Sequence, residues 1–560
     1  MSDSTEVRQS KHIELECINC HTRIPLNKSV DGCPVCGENI LEARYELDKI
    51  NGKEWMKALK QRPEGLWRYA EVLPIYDLNN IVSLGEGSTP LIKSKALASM
   101  LGLKHLYIKD ERQGPTASFK DRQASVAISA LKEMGVDAIV VASTGNVAIS
   151  YAAYCARAGI KLWAFFPSLT PGDKMREAAI YGTEVIKITG TYDQTKELAA
   201  RFARRQHIFL ERGIKSVAAI EAMKTMAYET AEQLGYVMND GARWRAPDWY
   251  IQGVSGGMGP IGVGKGFREM YDFGLIDKMP ALGLVQSAGC APMVDAFKRG
   301  QRIATPVENP ETIIATLATG NPGRAYELLY DYVGQYGGTF TAATDEEAFN
   351  AIRIMARNDG MSVEPATGVT FAGLFKMVRE GVIKPDDVVV VNCSGHTLPV
   401  ETMILGEHWQ RSVDLSHRTH TPVLPQEGLV SALEQMESQI RSIVVIEDNV
   451  DAARLIKRVL SARSFEVNVA NNGEQGLEVV RQMHPDLVIT DLMMPDVDGF
   501  QVIDTMKADP ELQHIPIVVI TAKELTAKER ARLNSQVDLL LKKGSSIDDE
   551  VIDNLVHKFD

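Results

Sequence analysis

The stretch DAIVVASTGNVAIS, residues 137–150, contains the pattern that decides the fold. Its first half is a short, unbroken apolar run, which indicates a buried strand. The chain then leaves the strand through Ser143, Thr144, Gly145 and Asn146 and opens a helix. A buried strand that passes through a glycine turn into a helix is the repeating unit of an α/β fold.

Further apolar runs repeat this pattern through the middle of the chain. They are KLWAFFPS, TEVIKITG, DWYIQGVSGG, LGLVQSAG and VVVVNCSGH, and a helix-like stretch follows each of them. The alternation predicts an α/β fold with largely parallel sheets. Ligands of such sheets bind at the carboxyl ends of the strands, so the loops after these runs are where functional residues are expected.

The composition is that of a globular protein with several domains. The chain has 560 residues, 45% of them hydrophobic and 24% charged, which is too long for one ordinary core. Its net charge of -12 argues against a nucleic-acid binder that relies on phosphate neutralisation. No apolar run reaches the length of a membrane span, and the first residues lack the apolar core of a secretion signal. Together with seven unevenly spaced cysteines, these features predict a cytoplasmic protein without a disulfide framework.

The stretch GPTASFKDRQ, residues 114–123, places a lysine at an unusual position. Gly-Pro marks a loop, and FKDRQASVAISALKEMG is typical of a helix that ends near Gly135. Lys120 would then lie at a helix N-terminus, where the macrodipole disfavours a cation and a neutral amine is better tolerated. The stretch alone fits either a surface lysine at a loop-helix junction or a lysine that forms an imine.

Other loops at predicted strand ends supply groups that complement such a lysine. The glycine-rich turn in QGVSGGMGPIG suits a phosphate, and the turn in VASTGNVAIS suits a carboxylate. VNCSGH places Ser394 just after the last strand. Pyridoxal phosphate requires this combination: an amine for the Schiff base, donors for its 5'-phosphate and a partner for its pyridine nitrogen.

The middle of the chain resembles the fold-type II pyridoxal-phosphate enzymes, and among them threonine synthase. The matching stretches are SLGEGSTPL, GPTASFKDR, ASTGNVAIS, AMKTMAYE, VSGGMG, QSAGCAP, TGNP, VEPATG and SGHTL, spread over most of residues 80–400. The resemblance implies a two-lobed domain in which Lys120 is the Schiff-base lysine. The cofactor-binding residues that it implies are Asn146, Ser255, Gly256, Gly257, Met258, Gly259 and Ser394, and the substrate-binding residues are Ser143, Thr144 and Lys224.

The reaction implied by the resemblance is an elimination or replacement on a phosphorylated amino acid. In threonine synthases, O-phospho-L-homoserine and water give L-threonine and phosphate. Those enzymes tend to carry a basic residue shortly before the Glu-x-x-Lys-Thr run, whereas KSVAAIEAMKT has Ala218 and Ala219 there. Thr397 also stands where a glycine is more usual. Lys215 and Lys224 are close to this position in the sequence, and Arg176 and Arg324 are further candidates to replace the missing base.

These departures leave other functions open. One is a cysteate synthase-like activity on phosphoserine, and another is a serine/threonine dehydratase, which would not require the missing base. A hypothesis of a different class is a non-catalytic protein that senses pyridoxal phosphate or an amino acid for a two-component system.

Near the start of the chain, CINC and CPVC supply Cys17, Cys20, Cys33 and Cys36. Two C-x-x-C knuckles separated by twelve residues form a four-thiolate site for one Zn²⁺ ion. Such a site has no open coordination position, so its role would be structural. A redox pair is the alternative. Relatives of the resembled family also carry an N-terminal zinc ribbon.

The end of the chain alternates again, with SIVVIED, FEVNVA, DLVITD, IPIVVIT and VDLLLKK as strands of a doubly wound sheet. Glu447, Asp448 and Asp491 at the strand ends would repel one another unless a cation joined them, and Mg²⁺ suits such oxygen ligands. Thr521 and Lys542 add a hydroxyl and a positive charge for a phosphoryl group. The set resembles the receiver domain of response regulators. The resemblance implies that Asp491 accepts phosphate from a sensor histidine kinase or a phosphotransfer protein.

The sequence therefore predicts four segments. They are a zinc ribbon (1–50), a catalytic domain (51–405), a linker (406–441) and a receiver domain (442–560). The linker contains an apolar stripe over residues 427–440 that predicts a short amphipathic helix. We expect the partners to be an amino-acid substrate and a second copy of the chain in a homodimer.

Overall fold

The computed structural model describes residues 13–26, 32–46, 51–168, 170–239, 241, 243–396, 411–414, 442–461, 465–521, 529, 532–533, 536–537 and 539–542. Two compact units divide the chain. The first comprises Met1–Lys187 and Thr191–Arg411, and the second comprises Ile188–Gly190 and Ser412–Asp560. In the described part of the chain, no helix combines the length and the apolar character needed to cross a bilayer.

A small antiparallel sheet opens the first unit. Its strands are β1 (Ile13–Cys17), β2 (Arg23–Pro25) and β3 (Leu41–Tyr45), in the order β2-β1-β3. Alternate residues of β1 are buried, because one face of this sheet packs on a small apolar cluster that includes Leu15 and Cys17.

The catalytic segment contains two larger sheets. Their strands are β4 (Leu91–Lys93), β5 (His105–Asp110), β6 (Ala138–Ala142), β7 (Lys161–Pro167), β8 (Glu184–Thr189), β9 (Phe209–Leu210), β10 (Trp249–Gly253), β11 (Ala281–Ser287), β12 (Gly338–Ala343) and β13 (Val388–Cys393). One sheet has the order β12-β11-β10-β13-β5-β4, parallel except for β4. In the other sheet, β8, β7, β6 and β9 follow one another, and β6 is parallel to β7 and β9. A further short strand is β14 (Arg411–Asp414).

Helices connect these strands and cover the sheets. They are α1 (Gly52–Leu59), α2 (Ala96–Leu101), α3 (Lys120–Glu133), α4 (Asn146–Ala158), α5 (Gly172–Ile180), α6 (Tyr192–Gln206), α7 (Val217–Asn239), α8 (Met258–Asp272), α9 (Pro292–Lys298), α10 (Arg324–Tyr336), α11 (Asp345–Asp359) and α12 (Pro365–Arg379). Several of them follow a strand of a parallel sheet directly, so their N-termini lie at the carboxyl ends of the strands, where ligands bind.

The predicted α/β class and the six predicted strands of this segment are confirmed. The prediction did not include β5 or β12. β5 is buried but contains Lys109, whose charge interrupts the apolar run, and β12 is composed of glycine, threonine and alanine around one phenylalanine. Neither strand therefore has the unbroken apolar run by which the other strands were predicted.

The second unit contains a five-stranded sheet with the order β16-β15-β17-β18-β19. Its strands are β15 (Ser442–Ile446), β16 (Glu466–Ala470), β17 (Leu487–Thr490), β18 (Ile517–Thr521) and β19 (Leu539–Lys542), all parallel, and its helices include α13 (Val450–Ser461), α14 (Gly473–Met483) and α15 (Gly499–Ala508). This confirms the predicted doubly wound sheet. The predicted helix at 427–440 lies outside the described residues.

Candidate active site

One cavity of about 700 Å³ collects most of the predicted site residues of the large segment. It lies where the carboxyl ends of β6 and β10 meet the starts of α3, α4 and α8. The predicted residues that line it are Lys120, Ser143, Thr144, Asn146, Ser255, Gly256, Gly257, Met258, Gly259 and Ser394. A cavity of this size holds a cofactor and a small substrate.

Lys120 is the first residue of α3, as the sequence predicts. Its ammonium lies 4.4 Å from the centroid of the Phe119 ring. Burial lowers the pKa of Lys120 from 10.5 to about 8, although Glu364 and Glu211 oppose this change by attracting the ammonium. An amine with this pKa is neutral for a large part of the time near pH 8, so it can act as a nucleophile and accept protons.

The turn after β6 forms the start of α4. Ser143 is buried, and its Oγ accepts hydrogen bonds from Gly145 N (3.0 Å) and Ala148 N (3.1 Å). Gly145 has φ +138°, and a Cβ at this position would lie 2.4 Å from Lys174 Cδ. Ser143 Oγ thus occupies two N–H groups of this turn. The backbone N–H groups of Asn146 and Val147, which line the cavity at the start of α4, are the ones suited to a carboxylate.

The turn after β10 approaches the cavity through its backbone. Gly257 has φ +83° and caps α8, and a Cβ there would lie 2.9 Å from Ala325 Cβ. A Cβ on Gly259 would lie 2.5 Å from Gln252 Nε2. Beside them, the Ser255 and Thr319 hydroxyl oxygens are 2.6 Å apart. A glycine turn at the start of a long helix fits a phosphate, because its N–H groups and the helix macrodipole both favour an anion.

Glu364, for which the sequence predicts no role, connects two of the predicted cofactor residues. Ser394 Oγ donates a hydrogen bond to Glu364 Oε1 (2.9 Å), and Asn146 Nδ2 donates one to Glu364 Oε2 (2.8 Å). Lys174 Nζ in turn donates to Asn146 Oδ1 (2.7 Å) and lies 3.3 Å from Glu364 Oε2. Glu364 belongs to the quoted stretch VEPATG, so the sequence contained a signal for this residue but no role for it.

Lys224 does not line the cavity. It is fully buried, and its ammonium contacts the carboxylates of Glu221 (2.6 Å) and Glu269 (3.0 Å) and lies 4.0 Å from the Tyr45 ring centroid. This location does not fit the predicted contact with substrate, because the ammonium is enclosed by the partners that neutralise it. Burial disfavours the charge on Glu221, but Lys224 and Lys265 hold its pKa at about 2.

A second acidic residue of the cavity, Glu211, follows β9. Its Oε1 accepts a hydrogen bond from Gly213 N (3.0 Å), and its backbone N–H donates to Val140 O (2.9 Å). Burial raises the pKa of Glu211 to about 7, although hydrogen bonding from Tyr151 and Ser216 favours its ionised form. The pKa values of Glu211 and Lys120, about 7 and about 8, therefore lie close to each other.

The four predicted zinc ligands come together at the end of β1, where Cys17 closes the strand and the other three lie in turns and loops. The sulfur atoms of Cys17, Cys20, Cys33 and Cys36 all lie within 4.8 Å of one another. The Cys17–Cys36 and Cys20–Cys33 Sγ pairs are each 3.5 Å apart. Four thiolates at this spacing fit a tetrahedral Zn²⁺ with bonds of about 2.3 Å.

In the second unit, Glu447, Asp448 and Asp491 each offer a carboxylate oxygen, and these oxygens also lie within 4.8 Å of one another. Glu447 follows β15 and Asp491 follows β17, so adjacent strand ends bring them together. Three oxygen ligands in this arrangement fit Mg²⁺. Thr521 ends β18 and pairs in register with Lys542 at the end of β19. The structure thus brings the backbone of all five predicted positions to one edge of the sheet.

Comparison with known proteins gives a family for the large segment and another for the second unit. Residues 82–395 match the family model described as "Pyridoxal-phosphate dependent enzyme", and residues 443–553 match the "Response regulator receiver domain". The chain is 37% identical to the threonine synthase of Methanocaldococcus jannaschii over 383 residues, which cover 68% of this chain and 92% of that protein. It is 34% identical to the threonine synthase of Methanosarcina acetivorans over 385 residues, 69% of this chain and 91% of the relative.

Proposed function

Because the chain belongs to the family of pyridoxal-phosphate dependent enzymes, we propose that its large unit is a threonine synthase. It would convert O-phospho-L-homoserine and water to L-threonine and phosphate. The observation that carries the proposal is a cavity with three features. They are Lys120 with its lowered pKa, the glycine-rich turn from Ser255 to Gly259 (the glycine cradle) and the start of α4. Relatives named threonine synthase support the choice of substrate, since this chain spans about nine tenths of their length.

The residues of the cavity divide between cofactor and substrate. Lys120 would hold the cofactor covalently, the turn from Ser255 to Gly259 would bind its phosphate, and Asn146 and Ser394 would contact its ring. When bound, pyridoxal phosphate supplies an electron sink that stabilises a carbanion on the substrate. Ser143 and Thr144 at the start of α4 would bind the substrate carboxylate.

Lys120 would also move protons during the reaction. Its lowered pKa allows the amine to remove a proton from a substrate carbon and return it at another. Glu364 would orient Asn146 and Ser394, because both side chains donate hydrogen bonds to it.

Because Ala218 and Ala219 stand where a basic residue is usual, other cations would bind the substrate phosphate. Besides Lys120, the cations that line the cavity are Lys196, Arg212, Lys215 and Arg324. Lys224, which pairs with buried carboxylates, is not required for this role.

We further propose that the second unit is a phosphorylation-dependent regulator of this enzyme. Asp491 would accept the phosphoryl group, Mg²⁺ would be bound by Glu447, Asp448 and Asp491, and Thr521 and Lys542 would support the reaction. The donor would be a sensor histidine kinase or a phosphotransfer protein. The four-segment division, the homodimer and a cytoplasmic location belong to the same proposal, and seven cysteines that form no disulfide with one another fit a reducing compartment.

A panel of amino acids tests the proposed reaction on the full-length protein. O-phospho-L-homoserine, O-phospho-L-serine, L-serine and L-threonine are each supplied, and phosphate, ammonia and L-threonine are measured. We expect equal amounts of phosphate and L-threonine from O-phospho-L-homoserine. Ammonia from L-serine or L-threonine without phosphate release would indicate a dehydratase. Phosphate release from O-phospho-L-serine that depends on added sulfite, the nucleophile that replaces the phosphate, would indicate a cysteate synthase-like enzyme. No turnover at all would favour a sensor.

The same assay tests the role of Lys120. Lys120→Ala should lose the absorbance of the covalently held cofactor and reduce turnover by about 100- to 10,000-fold, the range typical of a lost acid-base group. Lys132→Ala is the matched control, because Lys132 is an exposed lysine on the same helix. Normal cofactor absorbance and activity in Lys120→Ala would contradict the assignment.

A further inference from the structure

The second cysteine knuckle borders the candidate active site. Glu38, Asn39 and Ile40, which follow the last cysteine of the cluster after Gly37, line the same cavity as Lys120. Glu38 Oε2 lies 3.3 Å from Arg324 Nε, so a residue of the knuckle forms an ion pair with a cation at the cavity. The cysteine-rich segment therefore contributes to the wall of the site as well as to the fold.

The knuckle holds Glu38 through its backbone. Cys33 N donates to Glu38 O (2.7 Å), and Gly37 N donates to Cys33 O (3.0 Å). The side chain is held as well, because Asn39 N and Ile40 N donate to Glu38 Oε1 at 2.9 and 3.2 Å. One carboxylate oxygen is thus fixed by the chain itself, and the other is directed at Arg324.

Arg324 is a cation in an electrostatically unfavourable place. It is the first residue of α10, where the macrodipole disfavours positive charge. Two carboxylates offset this effect, since Arg324 Nη1 donates to Glu327 and Nε lies beside Glu38. Nε is directed at Glu38 Oε2, 3.3 Å away, and Nη1 at Glu327. Nη2 makes no hydrogen bond with any residue that the structure describes, so the guanidinium retains a donor for an anion in the cavity that Arg324 lines.

We propose that Glu38 is a positioning residue that holds Arg324 ready to bind an anionic group of the substrate. The inference rests on the proposed function, which supplies a phosphorylated substrate. Arg324 would then be the cation that replaces the basic residue missing at Ala218 and Ala219. A long side chain that is already ordered loses less freedom on binding, so preorganisation by Glu38 strengthens the contact with the anion.

The test compares two carboxylates that both join the cysteine-rich segment to the rest of the unit. Glu38→Ala removes the contact with Arg324, and Glu38→Gln keeps an acceptor without the charge. Glu42→Gln is the matched control, since Glu42 pairs with Arg268 (3.0 Å) and neither residue lines the cavity. Inorganic phosphate is titrated into each full-length holoenzyme and its Kd is measured by ³¹P NMR. KM and kcat for O-phospho-L-homoserine are measured in parallel.

We expect Glu38→Ala to weaken phosphate binding by about three- to tenfold, the effect of freeing one long side chain. KM should rise by a similar factor while kcat changes less than twofold. The Kd of Glu38→Gln for phosphate should lie between those of Glu38→Ala and the wild type. Glu42→Gln should bind phosphate as the wild type does. Unchanged or tighter phosphate binding in Glu38→Ala would overturn the inference, as would equal losses in Glu42→Gln.

The two readouts separate this inference from the proposed function. If the wild type does not convert O-phospho-L-homoserine but phosphate binding still depends on Glu38, the proposed function fails and the positioning role stands. If turnover is as proposed but Glu38→Ala changes neither Kd nor KM, the positioning role fails alone. Arg324→Gln provides a second variant, and it should lose phosphate affinity at least as strongly as Glu38→Ala.

Discussion

Glu364 illustrates how one buried carboxylate can organise residues that come from distant parts of the chain. It accepts hydrogen bonds from Asn146 and Ser394, and Lys174 lies close enough to form an ion pair with it. Charge-assisted hydrogen bonds of this kind are stronger than neutral ones, so they hold the two donors in fixed positions. The same carboxylate attracts the Lys120 ammonium, which links the geometry of the site to its protonation.

The pH at which Lys120 loses its proton should depend on the charges of its acidic neighbours. The charged groups that act on Lys120 are Glu211, after β9, and Glu364, before α12, and both raise its pKa against the effect of burial. Glu211 is itself largely ionised at pH 8, because its pKa is about 7. Glu211→Gln should therefore lower the pKa of Lys120 below about 8 and shift its deprotonation to lower pH.

This shift can be followed in the cofactor-free, full-length protein. The rate at which acetic anhydride modifies Lys120 is measured against pH by mass spectrometry, since only the neutral amine reacts. Glu38→Gln is the control, because Glu38 lines the same cavity but does not act on the pKa of Lys120. A shift to higher pH in Glu211→Gln would show that the assigned direction of the interaction is wrong.

At the scale of elements, the turn between β10 and α8 depends on the absence of a side chain. Gly257→Ala would place a methyl group 2.9 Å from Ala325 Cβ at a φ of +83°. Strain in this region costs roughly 1–2 kcal/mol and would distort the cradle. We expect pyridoxal phosphate to bind roughly tenfold more weakly to Gly257→Ala, as measured by fluorescence titration.

The control for this substitution is Gly334→Ala on α10. Gly334 is exposed, and a Cβ there meets nothing within 4 Å. Alanine is a better helix former than glycine by up to about 1 kcal/mol, so this variant should keep its cofactor affinity and gain stability. Equal cofactor affinity in the two variants would argue against a backbone cradle at Gly257.

The antiparallel sheet of the cysteine-rich segment should depend on its metal. Cys36→Ser should lower the zinc content from about one ion per chain and increase hydrogen exchange in β1, β2 and β3, because metal binding and folding are coupled in such small sites. Cys155→Ser is the control, since Cys155 is buried in a helix far along the chain from the cluster. Elemental analysis that finds no zinc in the freshly prepared, reduced wild type would refute the assignment.

At the scale of the whole molecule, one chain joins an enzyme-like cavity to a receiver-like sheet. With acetyl phosphate and Mg²⁺, Asp491 should become phosphorylated, whereas Asp491→Ala should not. Asp504→Ala is the control, because Asp504 is an exposed aspartate on α15 and should leave phosphorylation intact. Mass spectrometry of the intact protein measures the modification, and removal of Mg²⁺ should abolish it.

Phosphorylation of Asp491 should then change the affinity of the large unit for its substrate. A ligand shifts a conformational equilibrium only if it interacts differently with the two states, so the kinetic effect measures a coupling free energy. Couplings of about 1–3 kcal/mol are typical, and they correspond to changes of about 5- to 150-fold in an affinity. We expect KM for O-phospho-L-homoserine to change when beryllofluoride occupies Asp491. Unchanged kinetics at full occupancy would assign the receiver to localisation or partner binding instead.

The sequence by itself determined the α/β class, the glycine turns, the helix that starts at Lys120, the cysteine cluster and the receiver carboxylates. Each of these rests on local signals, such as apolar runs, turn residues and short spacings, that need no knowledge of distant contacts. Lys120 illustrates this, because a Gly-Pro loop followed by a helical pattern was enough to place it at a helix start.

Only the tertiary structure decided which distant residues meet. Asn146 and Glu364 are 218 positions apart, and Glu38 and Arg324 are 286 positions apart. The AMKTMAYE stretch predicts that Lys224 binds the substrate, but packing encloses its ammonium between Glu221 and Glu269. A buried charge must be paired, and its partner is set by the packing of helices and strands that no local pattern records.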